Sequence, residues 1–413
     1  MRTFAGLVIV GVALSVCGAG SDAPAQGQSA AGVAAEPTKA PAPELSLAEK
    51  FKGNPLFDPD FVPIMVNVQS LLNAKIYHDA GINVYDLIDD ITDDPKEPYQ
   101  FKPTAQTLRM LSDLGMYAIV DHKVWGHLKD SKTIIAWECP VDEPDNVQEN
   151  GKAVPLDDYL TASNEIKTFD PTRPYTTCFG QGLINDRFKG RGIDRTEYPK
   201  YMAPVDFIMY DVYPITNARY DDGEKHLELV GEGISRIRGW TDNKKPAICA
   251  IETGHIKNTE KAPTPAQTAC EVWITMVHGA RGTIYFCHDF TLPEKKASAL
   301  ARNKPMLDQL KVTNAKLMKL ARIITAPLTT EPATAKSEGD GKVIFSTKKV
   351  DGATAVLAVN VFEGKARATI PVAGLKKGAK VEVLEEGRTL EASEDGSFPD
   401  DFGPYQEHIY RIK

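Results

Sequence analysis

After residue 17 the sequence has no apolar run long enough to cross a bilayer. It has no Cys-x-x-C spacing, and its five cysteines beyond that point (Cys139, Cys178, Cys249, Cys270 and Cys287) are odd in number. That count supports neither a zinc site nor a disulfide framework, and leaves a Cys139–Cys178 bridge as the one pairing to test. His-Glu-x-x-His is absent, as is a Gly-x-Ser-x-Gly elbow, so neither a zincin helix nor a serine-hydrolase turn is encoded. Basic residues are outnumbered, 48 Lys and Arg against 56 Asp and Glu, for a net charge of -8. Such a balance excludes nucleic acid or an anionic membrane surface as the main partner, because nothing would offset phosphate repulsion.

What is present begins with an address. Met1-Arg2-Thr3 precedes an unbroken small and apolar run from Ala5 to Val16, the dimensions of a signal-peptide core. Leu14-Ser15-Val16-Cys17 resembles a lipoprotein lipobox, which would anchor the chain at Cys17; cleavage after Ala23-Pro24-Ala25 is the alternative. Residues 1–17 therefore read as a signal peptide, and 18–50, rich in Ala, Pro and Ser, as a disordered tether. The expected location is exported, periplasmic or at the cell surface.

From 51 to 327 short β-rich runs alternate with helical patterns. Strands are predicted at Phe61–Val68, Ile82–Ile88, Met116–Val120, Thr133–Trp137, Pro174–Phe179, Asp206–Tyr213, Pro246–Ile251 and Thr283–Cys287. Helices ending at Gly81 and Gly115 run straight into the next strand, and Gly282 is read as repeating that device. Eight strands with intervening helices predict a (β/α)₈ barrel. The first strand leads into Asn67-Val68-Gln69-Ser70 without a glycine, which argues against a dinucleotide-binding open sheet. Residues 328–413 carry only β-type runs separated by turns such as Asp351-Gly352, and predict a small antiparallel β-sandwich.

In such a barrel the C-terminal strand ends open onto the functional face, so polar residues there are the candidates. They are Asn67, Asp121, His122, Trp137, Asp142, Asp211, Tyr213, His255, His288 and Asp289 for substrate contacts, with Glu143 after strand four and Glu252 at the tip of strand seven. Carboxylates beside aromatic and hydrogen-bonding groups suit a sugar, which offers flat C–H faces and hydroxyls. Glu143 and Glu252 face each other across the mouth in this reading. A pair of carboxyl groups about 5–5.5 Å apart is what retaining glycoside hydrolysis requires. Tyr213 is a candidate for holding Glu252, Glu138 is the local rival for the acid role, and Trp125 and Trp137 are open between sugar platform and packing.

The stretches Asp142-Glu143-Pro144-Asp145-Asn146, Asp211-Val212-Tyr213-Pro214, Ile251-Glu252-Thr253 and Ile284-Tyr285-Phe286-Cys287-His288 resemble those of clan A glycoside hydrolases of β-galactosidase-like, exported type, over about residues 60–325. The resemblance implies Glu143 as acid/base, Glu252 as nucleophile, an oligo- or polysaccharide substrate, and neither cofactor nor metal. The clan has Asn, a donor to the sugar 2-hydroxyl, where this chain has Asp142. Two other readings stand beside it. One is a non-catalytic glycan-binding protein on a degenerate barrel, and the other a metal-dependent barrel hydrolase. The basic loop with Arg187, Arg191 and Arg195 is open between a solvated surface and contact with an acidic glycan.

Overall fold

The computed structural model describes residues 45–88, 102–148, 150–186, 192–217, 221–256, 258, 260–291 and 298–413. The signal peptide, Cys17, residues 18–44 of the tether and the arginines at 187 and 191 lie outside the described residues. The folded body starts at Leu45, so residues 45–50 belong to it and not to the tether. A reciprocal Ser46–Glu49 capping box starts the helix Leu47–Lys50, and Lys50 pairs with Asp206 at 3.0 Å.

Eight parallel strands close into a barrel in sequence order: β1 Ile64–Gln69, β2 Val84–Ile88, β3 Tyr117–Asp121, β4 Ile134–Glu138, β5 Tyr175–Phe179, β6 Phe207–Asp211, β7 Ala247–Glu252 and β8 Thr283–Phe286. The predicted barrel is thus correct, with strand ends shifted by up to three residues, as at Phe61 against Ile64. Alternation sorts each strand into two faces. Met65, Val84, Ile119, Ala136, Met209, Ile248, Ala250 and Ile284 fill the barrel interior. Val66, Tyr85, Val120, Trp137, Tyr210, Ile251 and Tyr285 pack outward against the helices.

Local signals explain the connections. Gly81 and Gly115 adopt left-handed backbone (φ 81° and 70°) where a helix ends before a strand. At the third such turn the left-handed residue is Gly279 (φ 90°), not Gly282. Gly282 is needed for another reason: a β-carbon there would stand 2.1 Å from the Pro63 carbonyl oxygen. Thr264 caps the helix Pro265–Val277 through the backbone N–H of Gln267, with proline at its first position.

The C-terminal region is a sandwich, as expected. The larger sheet runs, in spatial order, Arg388–Glu391, Lys380–Val383, Glu407–Ile412, Ala353–Asn360, Val343–Val350 and Ala333–Thr334. The smaller runs Lys336–Gly339, Ala366–Pro371 and Ser397–Phe402. Phe345, Val356, Ile370, Phe398 and Tyr410 fill the space between them. The outer face of the larger sheet joins the barrel: Ile344, Leu357, Val359 and Ile409 belong to the barrel's outer core, and Ser346 Oγ donates to the Val277 carbonyl at 2.6 Å. Among the described residues no helix is long and apolar enough to cross a membrane.

Candidate active site

The C-terminal ends of the strands carry strained backbone. Val68, Leu87 and Glu143 all adopt positive φ (48°, 59° and 42°), a region that L side chains avoid and that costs about 1–3 kcal/mol per residue. Each follows or carries a polar group of the mouth: Val68 follows Asn67, Leu87 follows Asp86, and Glu143 is itself a carboxylate. Strain of this kind persists where surrounding contacts impose it; in the barrel the same backbone occurs also at Asp242 and Asn243 (φ 52° and 58°), in the turn before β7.

Alternation decides which predicted residues reach that end. Asn67 points inward and donates to Asp86 Oδ2 at 2.7 Å. Asp211 continues the inward row of Met209. Asp121 also follows an inward residue, and its carboxylate accepts from the Lys123 backbone N–H at 2.8 Å, which commits it to capping a short helix. His122 and Trp137, expected among the substrate contacts, fall on the opposite parity, and neither faces the mouth. His122 is buried against Phe169 (ring centroids 5.6 Å) with Glu165 alongside. Trp137 is fully buried, packs edge-on against Phe169 and donates from Nε1 to Asp170 Oδ2 at 3.0 Å. It is a packing tryptophan, as is the buried Trp125.

The segment after β4 is shaped by Asp145. Its buried carboxyl accepts from the Gly180 backbone N–H at 2.9 Å and from the Tyr198 hydroxyl at 2.7 Å, stapling the turn to the end of β5. The Glu143 backbone N–H donates to the Cys178 carbonyl at 3.1 Å, and its Oε2 accepts from Asn146 Nδ2. Asp142 is an exposed residue whose carboxyl end is crowded by neighbouring protein. That desolvation, followed by the charges of Glu143, Asp86 and Asp145, lifts its carboxyl to about 7. Beside it lies Cys178, a thiol pushed well up by burial and then by Asp142, Asp211, Glu143 and Glu138. The suggested Cys139–Cys178 bridge does not form, and all five described cysteines are free.

Sequence reasoning named Glu138 but missed its partner, Asp86. Asp86 and Glu138 are both buried and point inward from β2 and β4, with their carboxyl groups in contact. Desolvation raises both, and Glu138, with the Asp86 charge next to it, is raised well above the usual range. Asn67 supplies Asp86 with a donor, whereas Glu138 Oε2 has none. An aspartate inside the apolar run Val84-Tyr85-Asp86-Leu87-Ile88 was the available signal.

The other side of the mouth is aromatic. Tyr213 packs on Phe286 (5.1 Å), which meets His288 (5.1 Å) and Phe290 (5.7 Å). Phe290 is 37% exposed, a solvent-facing ring unmarked by the sequence pattern. His255 Nδ1 lies 3.1 Å from Asp289 Oδ2. Asp289 is partly desolvated, yet the Thr291 hydroxyl and N–H and His255 hold its carboxyl below the ordinary value.

Glu252 ends β7 and is fully buried. Its Oε1 accepts from the Ile215 N–H at 2.7 Å and its Oε2 from the Thr216 N–H at 2.8 Å. Tyr213, expected to hold this carboxyl, does not; the backbone two and three residues later does. Burial raises its pKa against the pull of these donors. No hydrogen bond joins Glu143 and Glu252. Among the described residues no cluster of three or more His, Cys, Asp or Glu is arranged to hold a metal ion.

No protein-family model matches the chain, and no curated protein matches it. Solved structures similar to it include an alpha-amylase from Geobacillus thermoleovorans complexed with acarbose (10% identity, TM-score 0.46, covering 86% of this chain and 98% of that one). A GH30 endoxylanase from Clostridium papyrosolvens is 12% identical (TM-score 0.44, 85% and 95%). An alpha-L-arabinofuranosidase from Thermotoga maritima, in an arabinose complex, is 11% identical (TM-score 0.44, 82% and 89%).

Proposed function

We propose that this chain is an exported glycoside hydrolase acting on an oligo- or polysaccharide at the barrel mouth, by retention, with Glu143 as acid/base and Glu252 as nucleophile. The observation that carries the reading is the strained turn at Asp142-Glu143. Two carboxyl groups stand side by side there, over an acidic floor formed by Asp86 and Glu138 and across from an aromatic wall of Tyr213, Phe286 and Phe290. Glycosidic cleavage needs carboxyl groups in both protonation states at working pH. In the first step Glu143 gives its proton to the leaving oxygen as the Glu252 carboxylate attacks the anomeric carbon and the C–O bond breaks. Water, deprotonated by Glu143, then releases the sugar from Glu252. Burial raises the Glu252 carboxyl, and the two amide donors pull it back toward the ionised form that a nucleophile needs. Export rests on the basic start and apolar run of residues 1–16.

The complete burial of Glu252 favours a second reading, a protein that binds glycan without cleaving it. With the amides of Ile215 and Thr216 over both oxygens, attack requires the segment following β6 to draw back. One experiment separates the two. Wild type, Glu143→Ala and Glu252→Ala are assayed on aryl β-glycosides and polysaccharides, with and without azide. Hydrolysis by wild type, with azide restoring Glu252→Ala and giving a glycosyl azide of inverted configuration, supports the retaining hydrolase. Glycan binding with no turnover on any substrate supports the second reading.

A further inference from the structure

Against Glu252 lies a second carboxyl group with no role in the steps above. Glu271 sits in the middle of the helix Pro265–Val277, in the otherwise apolar run Cys270-Glu271-Val272-Trp273-Ile274. It is 0% exposed, and neither of its oxygens has a hydrogen-bond donor. One turn earlier on the same helix face, the Thr268 hydroxyl donates to the Glu252 carbonyl at 3.1 Å, so this face is turned to the end of β7. The group against the Glu271 carboxyl is the carboxyl of Glu252.

The two are not equivalent. Glu252 already accepts two backbone N–H donors, which stabilise a negative charge there. Glu271 accepts none, and a buried carboxylate without a donor is among the most costly groups a core can hold. The other ionisable groups bearing on it are the thiols of Cys249 on β7 and Cys270 on its own helix, and no cation of the described residues offsets a charge there. Desolvation, then Glu252, holds its carboxyl well above the usual range.

We infer that Glu271 is a positioning residue that stays neutral and donates its carboxyl proton as a hydrogen bond to Glu252. The bond completes the set of donors around Glu252 with one that comes from the helix and not from the loop after β6. Resting on the proposed double displacement, its effect on rate falls at the second step. As the C–O bond to Glu252 breaks and charge returns to that carboxylate, the hydrogen bond from Glu271 shortens and stabilises it. The proton stays with Glu271 throughout, so no other acid is consumed.

The test uses the full chain as Glu271→Gln and Glu271→Leu, with melting temperature as the check on folding. Glutamine keeps a donor in the same place; leucine keeps the volume and removes it. Expected is a kcat about 10–100-fold lower in Glu271→Leu with KM little changed, and recovery of most of that loss in Glu271→Gln. A kcat for Glu271→Leu equal to wild type, or a loss that glutamine does not recover, overturns the inference. Infrared difference spectra of wild type minus Glu271→Gln at pH 8 give a readout independent of turnover. A protonated-carboxyl band in wild type that disappears in the variant supports the inference, and its persistence overturns it. Should wild type hydrolyse no substrate, the proposed function fails, and the infrared arm still decides the state of Glu271.

Discussion

Gly180 lies directly beneath the carboxyl group of Glu143: a β-carbon at 180 would stand 2.9 Å from Oε2 and 3.0 Å from Cδ. What it would meet is the tip of a flexible side chain, so Gly180→Ala is cheap for the fold, with a stability change of about 0.5 kcal/mol or less. Its cost falls on geometry. With Glu143 in the proposed acid/base role, displacing its carboxyl by a fraction of an ångström is expected to lower kcat about 10-fold or more. Paired kinetics and thermal melts check this, and a destabilised variant with unchanged kcat would contradict it.

Asp142 gives a prediction with a pH sign. Its carboxyl titrates near 7 in the folded protein, against the ordinary 3.8, so between those values the folded state binds more protons than the unfolded one. Stability attributable to this group therefore declines as pH rises through that window. Below about 7 the neutral acid can also donate a hydrogen bond, as an asparagine would. Asp142→Asn is expected to keep activity at pH 8 that wild type loses, and to flatten the slope of melting temperature between pH 4 and 7. Matching pH profiles in the two proteins would rule out the role.

Lys348 is fully buried where the sandwich meets the barrel, donating from Nζ to the Ile324 carbonyl at 2.5 Å. Desolvation, then Arg238 and Arg281, lowers its pKa to about 7. Between 7 and the ordinary 10.5 the unfolded state binds more protons, so this site adds stability as pH rises through that range and costs stability below it. Lys348→Met should raise the melting temperature at pH 6, by roughly 1–3 kcal/mol of stability, with a smaller gain at pH 10. Denaturant titrations at both values measure the difference.

The two aromatic sectors separate by effect. Trp137→Phe should lower stability by about 1–2 kcal/mol through lost packing and the lost bond to Asp170, leaving glycan affinity unchanged. Phe290→Ala should leave the melt unchanged and weaken glycan binding about 3–10-fold. Calorimetric binding with matched melts distinguishes them.

The barrel was legible because eight apolar runs were punctuated by helix caps and by glycines such as Gly81 and Gly115, signals that act locally. Side-chain direction at the strand ends was harder to read. His122 and Trp137 stand at strand ends like Asn67 and Asp211 do, and only the pleat parity, fixed by strand registers across the barrel, sends them outward. Glu271 was invisible to a search of strand ends because it comes from a helix. Its signal was a lone acid among apolar neighbours, which acquires meaning only when β7 is seen to end against it.

The helix Pro265–Val277 is buried at every position from Thr268 to Val277, by β7 on one side and by the hairpin of Val343–Val350 and Ala353–Asn360 on the other. The C-terminal sheets are therefore a retaining wall of the barrel and not a detachable module. A chain cut at Ala326 would strip the sheet from the helix face that carries Cys270, whose thiol donates to the Asn360 carbonyl, and loosen the helix that carries Glu271. Recombination that swapped or lost this region would disturb the mouth from behind, so the two regions are expected to be inherited together.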